Sequence, residues 1–279
     1  VTDKVSDNPD AMDFWAHAEA LRSTILRAAL IVIIAMAALF AFMPWIFDHI
    51  ILAPCRSDFI TYRIMDLITE KSPFFSGASP ADDGFEIKLI NIQLASQFFL
   101  HMSTSFWLGL ILSFPAIIYL MWRFVEPALY ENEKRGVTKA FLAGNMMFYI
   151  GVAAGYFAVF PVTLRFLADY RLSELIPNQI SLDSYMDNFC VLILMMGIVF
   201  ELPLLAWLLG RMGIINRELF GKYRRHAIVA LLILAAVITP TGDPFTLMVV
   251  FLPLYLLFEI SAFTVPGRKE QINSNRTNK

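Results

Sequence analysis

The run Val191-Leu-Ile-Leu-Met-Met-Gly-Ile-Val-Phe200-Glu201-Leu-Pro203-Leu-Leu-Ala-Trp-Leu-Leu209 decides the fold. It approaches the ~20 residues with which a helix crosses a ~30 Å hydrocarbon core, yet it carries a carboxylate, Glu201, inside it. A charge at that depth costs about 2.5–3.5 kcal/mol on insertion scales. Pro203 removes the amide that would have bonded the carbonyl of Val199, so unpaired backbone is expected beside the acid. Such an acid can relay protons, ligate an ion, or draw polar chains or water into the membrane. The alternative is a protonated carboxyl hydrogen-bonded across helices for packing. Function is favoured, because ionisable groups inside membrane helices are functional by default.

The rest of the chain agrees with a membrane setting. It has 279 residues, 58% hydrophobic and only 16% charged, with a mean hydropathy of +0.62. A soluble domain is near half apolar and about a quarter charged. The net charge of −2 gives no general affinity for polyanions, and nothing suggests nucleic acid. Cys55 and Cys190 are the two cysteines; they lack metal-ligand spacing, so neither a metal site nor a cofactor is expected. A disulfide between them is topologically allowed, but two unpaired thiols are expected. His101, Ser103 and Ser105 make no protease motif, since there is no Gly-x-Ser-x-Gly and no second membrane histidine to act as base. The acidic, polar stretch Val1–Asp13 lacks the basic segment of a signal peptide and the arginine-rich look of a transit peptide. A bacterial plasma membrane is therefore favoured over an organelle.

Six apolar segments stand out, at about Thr24–Phe47, Phe98–Met121, Ala140–Pro161, Phe189–Leu209, Ala227–Ile238 and Phe245–Phe258. The last two are short, so such helices thin the bilayer, pack inside the bundle or end below the headgroups. The turn Thr239-Pro240-Thr241-Gly242-Asp243-Pro244 separates them into two spans rather than one re-entrant hairpin. An even number of spans puts both termini on one side, and sixteen of the 22 basic residues fall there. By the positive-inside rule both termini are cytoplasmic. The first outer loop is long, about residues 48–93, and within it Ile60, Ile64, Leu67 and Ile68 repeat at helical spacing, as in a short amphipathic helix lying on the outer surface or capping the bundle. The chain thus reads as an all-α, polytopic membrane domain over residues 1–265 and a polar cytoplasmic tail over 266–279. Nearly every span holds or abuts a proline (Pro44, Pro115, Pro161, Pro203, Pro240, Pro253), and several bent helices make a concave wall more readily than a straight bundle.

Other polar groups cluster at the ends of the spans. The loop Trp122-Arg-Phe124-Val-Glu126-Pro127-Ala-Leu-Tyr130-Glu131-Asn-Glu133-Lys134-Arg135 sets three acids beside aromatic rings, an arrangement that suits guanidinium groups. From spacing alone, a solvated mixed-charge loop in which Lys134 and Arg135 pair the acids is the better explanation. The leading segment Phe14-Trp15-Ala-His17-Ala-Glu19-Ala-Leu21-Arg22 carries an interfacial Trp anchor and offers His17 and Glu19 as ligands. Read alone, it is a helix lying on the headgroups. Asp243 before Pro244 reads as an N-cap with proline in the first turn.

In order along the chain, these motifs resemble TatC, the family of core subunits of the twin-arginine protein translocase. The resemblance runs from about Phe14 to Phe263. It rests on His17…Leu21-Arg22, Leu112-Ser-Phe-Pro115, the Trp122-to-Arg135 block, Phe160-Pro161, Phe200-Glu201-Leu-Pro203, Thr239-Pro240…Asp243 and Phe258-Glu259. It implies a glove-like bundle of six transmembrane helices that is not an enzyme. Such a receptor binds the Arg-Arg motif of signal peptides on folded proteins exported across the inner membrane, driven by the proton-motive force. The implied partners are single-span Tat subunits of the TatA and TatB type, further copies of the chain, and the lipid bilayer. By the same resemblance, Glu133 accepts the arginine pair with Phe124 beside it, supported by Glu19, Glu131, Glu126 and Arg22. Glu201 is similar to the family's intramembrane acid. Asp243 and Thr239 match the outer turn that contacts single-span partners, and Pro54 resembles the proline at the start of the first outer loop.

The chain departs from the family pattern twice. The family usually has Glu directly before the Leu-Arg of the leading helix, where this chain has Ala20, with its acid one residue earlier at Glu19. One residue is ~100° around a helix, which shifts weight toward Glu133, Glu131 and Glu126. Many members also place Gln shortly after the outer Asp, where this chain has Thr246-Leu247. The rival function is a proton- or ion-coupled small-molecule transporter using Glu201.

Overall fold

The computed structural model describes residues 9–71, 87–125, 131–170, 173, 178–211, 215–239 and 241–265, with side chains described except over 9–17, 66–71, 125, 131–140 and 211. The tail over 266–279 lies outside the described residues. Among these residues nine α-helices follow one another: α1 (Pro9–Ile46), α2 (Ile60–Lys71), α3 (Ser96–Val125), α4 (Glu131–Ala154), α5 (Phe160–Asp169), α6 (Leu182–Val199), α7 (Leu202–Arg211), α8 (Arg217–Ile238) and α9 (Pro244–Thr264). A π-helical turn, Phe47–Ile51, and a 3-10 turn, Ala53–Cys55, extend α1. A second π-helical turn, Gly155–Val159, joins α4 to α5. Among the described residues there is also a parallel pair of two-residue strands, β1 (Leu89–Ile90) and β2 (Ile180–Ser181), with Leu89 opposite Ile180.

Among the described residues five stretches are long and apolar enough to cross a membrane: Ala18–Cys55, Ser96–Phe124, Phe141–Asp169, Leu182–Gly210 and Pro244–Thr264. The chain is a multi-pass membrane protein. The ninth helix is longer than the expected Phe245–Phe258: it starts at a capped Asp243 and continues through Glu259 to Thr264, because one acid with an ionic partner does not end a helix. The eighth is also continuous over 22 residues, but its early turns hold Arg217, Glu218, Lys222, Arg224 and Arg225. Only the apolar run Ala227–Ile238 is left for hydrocarbon, so α8 is not among the five.

The prolines act unequally. Pro44, Pro115 and Pro253 lie inside unbroken helices, whereas Pro161 follows a π-helical turn and Pro203 follows a break at Phe200–Glu201.

The chain divides into two compact units. The first comprises Val1–Ala41 and Ser105–Asn145, that is, most of α1, the larger part of α3 and the first half of α4. Here α1 and α3 meet backbone to backbone: a Cβ on Gly109 would lie 3.0 Å from the Met36 amide nitrogen. Buried Trp122 at the end of α3 packs against Phe141 of α4 at 4.7 Å between ring centroids.

The second unit comprises Phe42–Thr104 and Met146–Lys279. Its core is α6, with Tyr185, Met186, Phe189, Leu192 and Met196 buried. Glycine permits the close approach of α6 to the α4–α5 segment. A Cβ on Gly151 would sit 2.5 Å from the Met196 carbonyl oxygen, one on Gly155 3.1 Å from Met196 Cβ, and one on Gly197 2.7 Å from the Phe148 ring. Small residues four apart commonly let membrane helices pack this closely. In the same unit α9 packs along α7 and α8, with Phe220 against Phe258 at 5.3 Å.

Candidate functional site

Glu201 lies in the non-helical step between α6 and α7. Pro203 sits in the first turn of α7 and cannot donate to the Val199 carbonyl. The chain responds by tightening: the Glu201 amide donates to the Ile198 carbonyl, three residues back, at 3.1 Å, and the Glu201 carbonyl accepts from the Leu205 amide at 2.9 Å. The side chain is half-buried, and its Oε1, buried, has no hydrogen-bond partner among the described residues. A carboxyl held for packing would need a partner across helices, and none stands at Oε1 among the described residues. The break is held from behind by Gly151, whose missing side chain leaves room for Phe200, 2.7 Å from where a Cβ would stand.

The residues expected to bind a paired-arginine ligand all fall in the first unit. Glu19 and Arg22 are exposed on α1 and line a cleft of about 380 Å³ with Ser23, Leu26, Arg27 and Leu30. Phe124 is half-buried, one residue before the end of α3. Glu131 and Glu133 open α4, with side chains outside the described ones, and Glu126 lies outside the described residues. The compact unit contains most of α1, the end of α3 and the start of α4, and Trp122 near the end of α3 packs on Phe141, partway along α4.

Pro54 belongs to a cluster of hydroxyl–carbonyl bonds in the second unit. Buried Tyr62, on α2, donates to the Pro54 carbonyl at 2.9 Å, with the Pro161 carbonyl at 3.3 Å. Tyr156 donates to the Ile50 carbonyl at 2.8 Å, and Tyr185 donates to the carbonyl of Ile51. Thr61 donates to the carbonyl of Phe157. The last bond has a clear cause: Pro161 has no amide hydrogen, so the carbonyl four residues back loses its helical partner, and Thr61 supplies another. Burial, then the neighbouring Cys55, pushes the Tyr62 phenol well above its ordinary range, so it remains a donor. Arg165 lies over the Tyr62 ring at 5.5 Å and faces Asp169 at 3.8 Å. The strand pair and the Ser96 hydroxyl, donated to Asp183, tie down the same region. Cys55 and Cys190 are both buried and free.

Asp243 caps α9 as expected. Its Oδ1 accepts from the Thr246 amide at 2.7 Å and its Oδ2 from the Thr241 hydroxyl at 2.6 Å. Burial raises the carboxyl, but the bonds from Thr241 and Thr246 together outweigh it and hold it below its usual range. Thr239, buried, ends α8 and donates to the Ala235 carbonyl at 3.0 Å. Asp243 and Thr239 thus frame one turn, with Phe245 stacked on Phe166 of α5 at 3.7 Å.

Several residues escape sequence reasoning. Tyr62, Tyr156, Tyr185 and Thr61 carry no motif, and the acceptors of the last three are distant in the chain. On α2 the Ile60 and Ile64 stripe faces outward, 55% and 50% exposed, while Phe59 and Tyr62 face in. The pair Gly151 and Gly155 did carry a signal, its four-residue spacing.

The family model for the Sec-independent protein translocase protein TatC matches residues 16–253. The chain is similar to the Sec-independent protein translocase protein TatC of Blattabacterium sp. subsp. Periplaneta americana (strain BPLAN), 34% identical over 266 residues, covering 93% of this chain and 97% of the relative. Its Escherichia coli (strain K12) counterpart is 36% identical over 175 residues, covering 63% and 67%. A crystal structure of a twin arginine translocase receptor, TatC, superposes with a TM-score of 0.69 at 29% identity, covering 89% of this chain and 97% of that one. The chain belongs to the TatC family of Sec-independent protein translocase proteins, which are membrane transport components and not enzymes.

Proposed function

We propose that this chain is the twin-arginine signal-peptide receptor of its translocase. It would span the bacterial inner membrane six times, as a glove-like bundle with Ala227–Ile238 as the fifth span and both termini and the 266–279 tail in the cytoplasm. The observation that carries this reading is the composition of the first unit, in which α1 with Glu19 and Arg22, the Phe124 end of α3 and the Glu131–Glu133 start of α4 belong to one compact body. Two guanidiniums need convergent carboxylates, because the planar fork bonds carboxylate oxygens in pairs. Glu133, Glu131, Glu126 and Glu19 supply them, and Phe124 offers a ring face to a cation. Ala20 holds no acid, so Glu133 and its neighbours carry most of the contact.

Glu201 is the membrane-depth element of the same machine: it is an ionisable group without a partner among the described residues, and the proton-motive force acts on cargo passage there. Asp243, Thr239 and Pro54 belong to the opposite, outer rim, where single-span TatA- and TatB-type subunits and further copies of the chain assemble. The small-molecule transporter reading finds no support in the family likeness.

The test is crosslinking of the full chain in membranes to a peptide carrying Arg-Arg or Lys-Lys. Arg-Arg should crosslink and Lys-Lys should not, and Glu131→Ala with Glu133→Ala should abolish the signal without loss of folded protein. Equal crosslinking of both peptides, or an unchanged signal in the double variant, would refute the receptor site.

A further inference from the structure

Several hydroxyls on the helices return to their own backbone. Thr24, Thr239, Ser261 and Thr264 each donate to the carbonyl four residues earlier, a common refuge of a helical hydroxyl away from water. Two hydroxyls in the second unit do not. Thr163 of α5 is 2% exposed and Thr246 of α9 is 0% exposed, yet neither Oγ1 has a hydrogen-bond partner among the described residues. Thr246 gives its amide to Asp243, not its hydroxyl. Both side chains face one seam. Around α5, Thr163 lies about 60° from Phe160 on one side and about 60° from Phe166 on the other. Phe160 packs on Tyr185 and Phe189 of α6 at 5.3 and 5.1 Å, and Phe166 stacks on Phe245 of α9 at 3.7 Å, so Thr163 points between α6 and α9. On α9, buried Thr246, Val250, Leu254 and Leu257 form one stripe toward the bundle. Phe166 is near the end of α5 and Phe245 near the start of α9, so the two helices run in opposite directions through the ring stack. Thr163 is then about 4.5 Å and Thr246 about 1.5 Å inward of that stack, which sets both hydroxyls at nearly one level.

We propose that Thr163 and Thr246 together hold one buried water at the junction of α5, α6 and α9. A buried hydroxyl without a bond forfeits the solvation it had in the unfolded chain. Two of them on one seam are satisfied together by a ligand that both donates and accepts. Water does this in the smallest volume, and a buried water makes about 2–4 such bonds. An ion does not suit the place, because both hydroxyls are neutral and the charged neighbours in the sequence are engaged. Arg165 lies over Tyr62 and faces Asp169, and Asp243 is bonded by Thr241 and the Thr246 amide. The site is within about two turns of both helix ends, so the water has a short way in. The consequence is mechanical. Thr246 is fixed twice, by its amide to the Asp243 cap and by its hydroxyl through the water to α5, so the water ties the Thr239–Asp243 turn to α5.

Valine keeps the shape of threonine and lacks the hydroxyl, so the experiment compares the melting of the full chain in detergent with that of Thr163→Val, Thr246→Val and the double variant. Each single variant takes one bond from the water and leaves the other hydroxyl to hold it alone, and should lower the melting temperature by roughly 2–4 °C. The double variant replaces the whole polar pair by apolar groups of the same shape, and should melt no lower than either single. Singles that melt at or above the parent overturn the proposal, because they show hydroxyls that had no ligand. Additive losses overturn it as well, because they show two hydroxyls that share none. A crystal structure of the full chain that resolves ordered water reads the site directly, and one peak within about 3 Å of both Oγ1 atoms is expected. A direct bond between the two hydroxyls, or a peak at one of them or at neither, overturns the assignment even where the melting losses are coupled.

Discussion

Two regions of the second unit face the same chemical problem and resolve it in opposite ways. Near Pro54 and Pro161, a carbonyl that proline deprives of its helical donor is taken over by Thr61, and tyrosine hydroxyls close on the carbonyls of Ile50, Ile51 and Pro54. At the α6–α7 break, proline again disturbs the helix, but the polar group placed there, Glu201, is left without a partner among the described residues. A buried polar group left unpaired costs about 1–3 kcal/mol. The first region uses its polar groups to fix loops onto helices. The second keeps a polar group uncommitted, which is useless for stability and useful only if something else is to meet it there.

The sharpest way to break both regions together is to push α6 off the α4–α5 segment. Gly151→Val would drive a Cβ into the Met196 carbonyl and Phe200, where the close neighbour is backbone and cannot swing aside. Overpacking of this kind typically costs about 1–3 kcal/mol and sometimes more, and a backbone clash belongs at the upper end. The variant should accumulate poorly and melt well below the parent in detergent. A parent-like melting curve would show that the two segments are not in the close contact described.

A smaller effect separates the two regions. Tyr62→Phe and Tyr185→Phe keep the rings but remove the hydroxyls, leaving buried carbonyls short of a donor, and each should destabilise by about 1–2 kcal/mol. The double variant should fall short of the sum, because both hydroxyls serve the same short stretch, Ile51 to Pro54. By contrast, Glu201→Gln should leave the melting temperature within about 1 kcal/mol of the parent, since no bond is lost. It should keep peptide crosslinking while impairing export. Full export in that variant would reduce the acid to a structural residue, and a large stability loss would mean that the carboxyl has a partner after all.

The contrast also explains what could be read from the sequence. The helices were legible because apolar runs between basic ends have few other solutions in a membrane, and Glu201 was legible because a charge inside such a run is conspicuous. The Asp243 cap was legible because its donors are local. The Tyr–carbonyl cluster was not: Thr61 meets Phe157 across 96 residues and Tyr185 meets Ile51 across 134, and no local pattern encodes such pairings. The α2 helix was legible from its apolar spacing, but which side faces in was not: Ile60 and Ile64 are exposed, and Tyr62 brings both ring area and a donor to carbonyls that need one. The proline pattern did not say which helices continue through a proline, because neighbouring helices can support a helix through the loss of one hydrogen bond.

The smallest expected effect tests whether a satisfied polar group does only structural work. Asp243 is bonded by Thr241 and Thr246, and its lowered pKa means that the ionised form is favoured in the folded state. That stabilisation is fully present above the unfolded carboxyl's ordinary value of about 3.9 and is lost as the pH falls through the lower folded value. Asp243→Ala removes the cap and should cost about 1 kcal/mol at neutral pH. Asp243→Asn keeps a capping oxygen of nearly equal quality, so its melting temperature at pH 7 should match the parent, while its share of the acid-induced loss below pH 4 disappears. Export by the Asn variant then separates two roles that stability alone confounds. If the carboxylate serves only to start α9, export survives with the cap. If the outer turn also meets a single-span partner through its charge, export fails in a protein whose melting curve at neutral pH is unchanged.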